Sequence, residues 1–244
     1  MLSAFLWGAL AASALLIGAL VAIGWSMPTR VLGLITAFGS GVLISAVAYD
    51  LVEEASQTDG STMRVGLGLF IGSVVYYVGD VLVDRMGGNR APADPTASDA
   101  GGAGLPIVLG AVLDGIPESL VLGLGLLSGE GVSVAFLAAV FISNFPEGLA
   151  GTSGLLKSGW TRRKVLGLWI VVVVVSALAS LTGYGVFDSA SPSAVAFVLS
   201  FAGGAVLTML ADSMMPDAFA DGGKPAGLFT AMGFSLAFFL HTIQ

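Results

Sequence analysis

Two stretches bring the same chemistry into an otherwise apolar chain. Residues 114–120 read DGIPESL and residues 143–149 read SNFPEGL, so each carries a proline followed by a glutamate, Pro117-Glu118 and Pro146-Glu147. Asp114 stands four residues before Glu118, and Ser143 four before Glu147, a spacing that puts each pair on one helix face. A proline inside a helix has no N–H to donate and frees the carbonyl four residues earlier, here those of Leu113 and Ile142. Brought face to face, the stretches collect Asp114, Glu118 and Glu147 with the Asn144 amide and the Ser143 hydroxyl. Ionised carboxylates cannot stay unpaired together in an apolar setting, so they hold either protons or a cation. Neither stretch contains a Lys or Arg to neutralise them. A divalent metal is the natural occupant, and protonation is the state of the empty site.

The elements that must hold these stretches are membrane helices. Of 244 residues, 56% are hydrophobic and 10% are charged, whereas a soluble domain is about one-quarter charged. The 35 glycines fit closely packed membrane helices. A span needs about 20 predominantly apolar residues. By that rule eight are expected, near 3–24, 31–53, 66–88, 104–128, 132–156, 164–187, 193–215 and 225–243. The first lacks a basic n-region and is too long for a signal peptide, so it is expected to be retained. The fold class is therefore an all-α integral membrane protein, with one transmembrane domain over residues 1–244.

Charge and composition exclude several functions. No cysteine is present, which removes disulfides, thiolate metal sites and thiol catalysis together. The formal net charge is −7, and no basic patch exists beyond Arg162-Arg163-Lys164; nucleic acid is not an expected partner. Eight spans put both termini on one side. Arg30, Arg85, Arg90, Lys157, Arg162, Arg163, Lys164 and Lys224 then fall on the opposite side, leaving Arg64 with the termini. The positive-inside rule places both termini outside the cytoplasm, in the cell membrane. Residues 89–103, rich in Ala, Pro, Gly, Ser and Asp, are expected to form a flexible cytoplasmic loop that cannot bury a core.

Internal repeats bear on function. Residues 117–127 (PESLVLGLGLL) and 146–156 (PEGLAGTSGLL) share Pro-Glu-x-Leu and a Gly-Leu-Leu at one offset. Residues 38–55 (FGSGVLISAVAYDLVEEA) align with 201–218 (FAGGAVLTMLADSMMPDA), matching Phe38 to Phe201, Gly41 to Gly204, Ala48 to Ala211 and Ala55 to Ala218. In the expected topology both pairs run antiparallel. Inverted repeats around central proline-interrupted helices point to a transporter with its site at the midplane. Helical rise puts Asp114 and Glu118 roughly 15 and 21 Å into their span, and Ser143 to Glu147 roughly 16 to 22 Å into theirs. Both sets straddle the middle of a hydrocarbon core about 30 Å thick.

With eight spans, outside termini and paired Pro-Glu helices, the chain resembles the ZIP family of divalent metal transporters. The resemblance extends over the whole chain in layout and is specific at DGIPES, SNFPEG and, more loosely, ADSMMPDAF. It matches Asp114, Gly115, Pro117, Glu118 and Ser119, then Ser143, Asn144, Pro146, Glu147 and Gly148, then Asp212, Ser213, Pro216 and Asp217. It implies metal ligands drawn from Asp114, Glu118, Ser143, Asn144, Glu147 and Asp212. It also implies a homodimer, uptake towards the cytoplasm, and spans one, four, five and six moving against the rest. No cofactor is implied; the metal is cargo. Both family histidines and the span-four asparagine are missing, so one site built from Asp114, Glu118, Asn144 and Glu147 is expected rather than two. An oxygen-only shell favours manganese or ferrous iron, and zinc also accepts carboxylates.

The remaining acidic residues have plainer readings. Asp50, Glu53 and Glu54 end span two at the outer face, where they either attract cations or are simply solvated. Asp212, deeper in span seven than Asp217, is placed to line an exit. Asp80, Asp84 and the lone histidine, His241, are read as packing or interfacial residues. An intramembrane aspartyl protease is the competing enzyme reading, from Tyr49-Asp50 and Gly79-Asp80. It fails because Tyr77 replaces a required glycine and the two aspartates lie at different depths, whereas a dyad must share one site. No enzymatic activity is expected. The other alternative is a degenerate relative that senses metal or carries protons or another solute.

Overall fold

The computed structural model describes residues 1–25, 27–59, 61–85, 104–127 and 132–243, without the side chains of 104–108. The loop expected over 89–103 lies outside the described residues. The described chain is helical, without a strand. Six helices are long and apolar enough to cross a membrane: α1 (Leu2–Gly24), α2 (Thr29–Asp59), α3 (Thr62–Arg85), α5 (Val134–Lys157), α6 (Arg162–Phe187) and α7 (Pro192–Gly222). The expected spans near 104–128 and 225–243 are α4 (Gly104–Gly125, 22 residues) and α8 (Ala226–Thr242, 17 residues). Interruption at the prolines is not what the backbone does. Helices α4 and α5 run unbroken through Pro117 and Pro146, so each proline deletes one hydrogen bond without ending its helix.

The surface is the inverse of a soluble protein's. Phe70, Val74 and Val78 of α3 and Val171, Val174 and Leu178 of α6 are exposed, whereas Ser40, Ser143, Ser180 and Ser200 are completely buried. Contiguous exposed apolar surface on this scale calls for a lipid neighbour. The buried hydroxyls are satisfied by backbone carbonyls one turn back, as for Ser40 on Thr36 and Ser200 on Ala196. They need no water.

Packing sorts the helices into two bundles. In one, α1 packs on α5 and α6, and α4 on α6; in the other, α8 and α7 pack on α2, and α3 on α7. Inside each bundle the crossings share one device. Gly18 and Gly148 face the Phe145 and Leu15 carbonyls where α1 meets α5, and Gly183 and Gly123 face the Leu120 and Ser180 carbonyls where α6 meets α4. In the other bundle Gly41 and Gly233 face the Thr230 and Phe38 carbonyls, and Gly204 and Gly72 face those of Leu69 and Phe201. A Cβ at any of these positions would collide with the opposing backbone. Small residues that let backbones touch are how membrane helices associate without a hydrophobic drive.

Helices α2 and α7 correspond residue for residue. Both are 31 residues long. Under the alignment of Phe38 with Phe201, Thr29 falls on Pro192 and Asp59 on Gly222, so their bounds coincide. Each contains a π-helical segment, Val47–Glu53 in α2 and Leu210–Met214 in α7, and Val47 falls on Leu210. Helix α8 crosses α2 at the place where α3 crosses α7. Single π turns inside α-helices concentrate at functional sites.

Candidate functional site

Helices α4 and α5 carry the carboxylates into the protein interior. Glu118 is 2% exposed and Asp114 7%, and the charges of both Glu147 and Asp114 act on Glu118. The (i, i+4) spacing puts Asp114 and Glu118 on one face of α4, and Glu147 reaches them from the adjacent α5. All three carboxylates proposed from the sequence are thus electrostatic neighbours. Every Lys and Arg among the described residues lies in the first or last turn of a helix or between helices. Buried carboxylates without a fixed counter-charge at their own depth mark an ion or proton path.

The neutral candidates on α5 are engaged in fixing that helix. Ser143, completely buried, donates to the Val140 carbonyl at 3.0 Å. The Asn144 amide donates across to the Ala11 carbonyl of α1 at 3.3 Å. One turn beyond Gly148, Thr152 accepts the indole N–H of the buried Trp169 at 2.7 Å, tying α5 to α6. The carbonyl freed by Pro146 lies at the seam between bundles. A Cβ on Gly39 of α2 would sit 3.5 Å from the Ile142 oxygen and 3.3 Å from the Ser143 Cα.

Asp212 is not brought to this group. It stands in the π segment of α7, exposed, and is not among the charges acting on Glu118. Nor do the carboxylates converge on a point: among the described residues no group of three or more His, Cys, Asp or Glu side chains is arranged to hold a metal ion. They form a loose cluster, close enough to repel and too far apart to share one ion as placed.

Two features were not visible in the sequence. Tyr76 of α3, 2% exposed, donates its hydroxyl to Asp114 Oδ1 at 2.5 Å. The only hint was its position four residues before Asp80 in an otherwise apolar span. The second lies near the chain's C-terminus. Asp50, in the π segment of α2, accepts from the Ser133 hydroxyl at 2.7 Å and stands 3.6 Å from His241 Nδ1. Ser133 also caps α5 by accepting from the Phe136 N–H, and the His241 ring stacks on Tyr49 at 5.3 Å. Asp50 is therefore no freely solvated end residue, since its side chain is only 9% exposed.

Neither a protein-family model nor a curated protein matches this chain.

Proposed function

We propose that the chain carries a divalent metal cation, of the zinc, iron or manganese class, across the cell membrane. One observation carries the reading: Glu118, almost wholly buried, lies under the charge of Asp114 and Glu147 with no basic side chain at its depth among the described residues. A doubly charged ion relieves that arrangement more completely than any other common solute. We assign Asp114, Glu118 and Glu147 as the charged ligands, Asn144 and Ser143 as neighbours able to add neutral oxygens, and Asp212 as an outlying carboxylate of the same path. The ZIP-like layout of eight spans, extracytoplasmic termini, inward flux and a homodimer belongs to the same proposal. It is supported by the coincidence of α2 and α7 in length and π segment, and by the separation of α1, α4, α5 and α6 from the other helices.

The test is uptake into proteoliposomes of zinc, manganese, ferrous iron and cadmium. Accumulation above empty vesicles is expected for at least one ion, and Glu118→Gln or Glu147→Gln should reduce it to the empty-vesicle level. If no divalent ion accumulates faster than in empty vesicles, the assignment is wrong. A second reading, carriage of protons or another solute on the same carboxylates, is favoured by their failure to converge. It predicts metal-independent proton flux that is lost in the same two variants.

A further inference from the structure

The loose cluster poses its own question: what keeps Asp114 apart from Glu118 and Glu147 when all three sit on neighbouring turns of adjacent helices? The structure assigns that task to Tyr76. Its phenol belongs to α3, in the bundle that does not carry the carboxylates, and its hydroxyl reaches across the boundary to Asp114. The contact is enforced by packing. Tyr76 is buried, α3 is pressed on α7 through Gly68, Gly72 and Gly204, and a Cβ on Gly79 would come within 3.0 Å of the Leu113 side chain, so α3 and α4 touch at this level. The phenol therefore has little freedom to withdraw while the bundles keep this arrangement.

A neutral donor suits this role. The hydroxyl satisfies a buried carboxylate oxygen without supplying a positive charge, so it does not fill the cation's place. It holds Asp114 towards α3, and the pocket is incomplete until the ion draws that carboxylate to Glu118 and Glu147. Loading thus breaks one charge-assisted hydrogen bond that joins the bundles, which couples occupancy of the site to their separation. Tyr76 is a positioning residue acting through Asp114. This inference rests on the cation-carrier reading above.

Tyr76→Phe keeps the ring and removes only the donor. In titration calorimetry of the purified full chain with manganese(II) and with cadmium(II), it should bind about tenfold more tightly than wild type, the worth of a hydrogen bond to a charged group. The gain should vanish on adding Asp114→Asn, since a double-mutant cycle isolates the pair. Tyr76→Leu also lacks the hydroxyl and should tighten binding in the same direction, should the Phe variant fold poorly. A purely structural tyrosine predicts weaker or unchanged binding, because losing a packing contact gives no reason for affinity to rise. Wild-type binding with no tightening in either folded variant overturns the clamp and leaves the carrier reading standing. Absence of binding in wild type and variants alike removes the carrier reading, and the clamp with it.

Discussion

Contacts inside the bundles differ in kind from contacts between them. Inside, the four crossings of α1 with α5, α4 with α6, α2 with α8 and α3 with α7 bring glycine onto bare carbonyl, leaving no side chain that a rotamer change could move. Between, the seam is made of side-chain bonds, Tyr76 to Asp114 and Ser133 to Asp50, and of Gly39 lying over α5 at ordinary contact distance. Backbone contact is rigid, because neither partner can yield without moving a whole helix. Side-chain hydrogen bonds can break and re-form singly. The difference marks the seam as the place where the molecule can change shape, and the carboxylates lie on one side of it.

The first way to break this comparison is to overfill an inner crossing. Gly204→Val and Gly123→Val each push a branched side chain into an opposing carbonyl. Overpacking of this severity should cost about 3 kcal/mol or more. In a detergent melt both variants should show strongly lowered transitions or yield little folded protein. Melting like wild type would mean that the crossings are looser than their geometry requires.

At the seam the same experiment should be mild for stability and severe for function. A methyl on Gly39 would sit 3.3 Å from the Ser143 Cα, beside the carbonyl released by Pro146. Tight contact of that order should cost Gly39→Ala about 1 kcal/mol. Uptake in proteoliposomes should fall by more than this modest loss of folded protein explains, because the methyl wedges the surface along which the bundles would slide. Unaltered uptake would argue that this part of the seam does not move.

Much of this architecture was legible in the sequence, and the gaps have physical causes. Span positions follow from hydropathy alone, because a membrane helix must satisfy its own backbone and face lipid. The carboxylate group was legible because (i, i+4) spacing and the prolines fix which face Asp114, Glu118 and Glu147 share. Tyr76 was not, because a span that is apolar on both its lipid and its packed faces offers no periodicity to say which way a residue points: α3 exposes Tyr77 and buries Tyr76. Asp212 failed for another reason. A helical wheel carried from Gly204 towards Asp212 passes the π segment beginning at Leu210, and one extra residue turns everything beyond it by about 100°. The pairing of Asp50 with His241 and Ser133 joins three helices, and no local pattern encodes it.

The smallest expected effect separates two jobs held by one hydroxyl. Ser133 accepts from the Phe136 N–H as the cap of α5 and donates to Asp50. Ser133→Ala removes both and should lower stability by about 1 kcal/mol, the usual worth of a cap. Ser133→Gly costs only a few tenths of a kcal/mol as a cap, yet it equally lacks the bond to Asp50. If that bond is a seam contact of the breakable kind, the two variants should differ in melting temperature by the worth of the cap while changing uptake to the same extent. Should uptake instead follow stability, with Gly near wild type and Ala reduced, then Ser133 serves α5 alone, and the tie to Asp50 has no part in relative motion of the bundles.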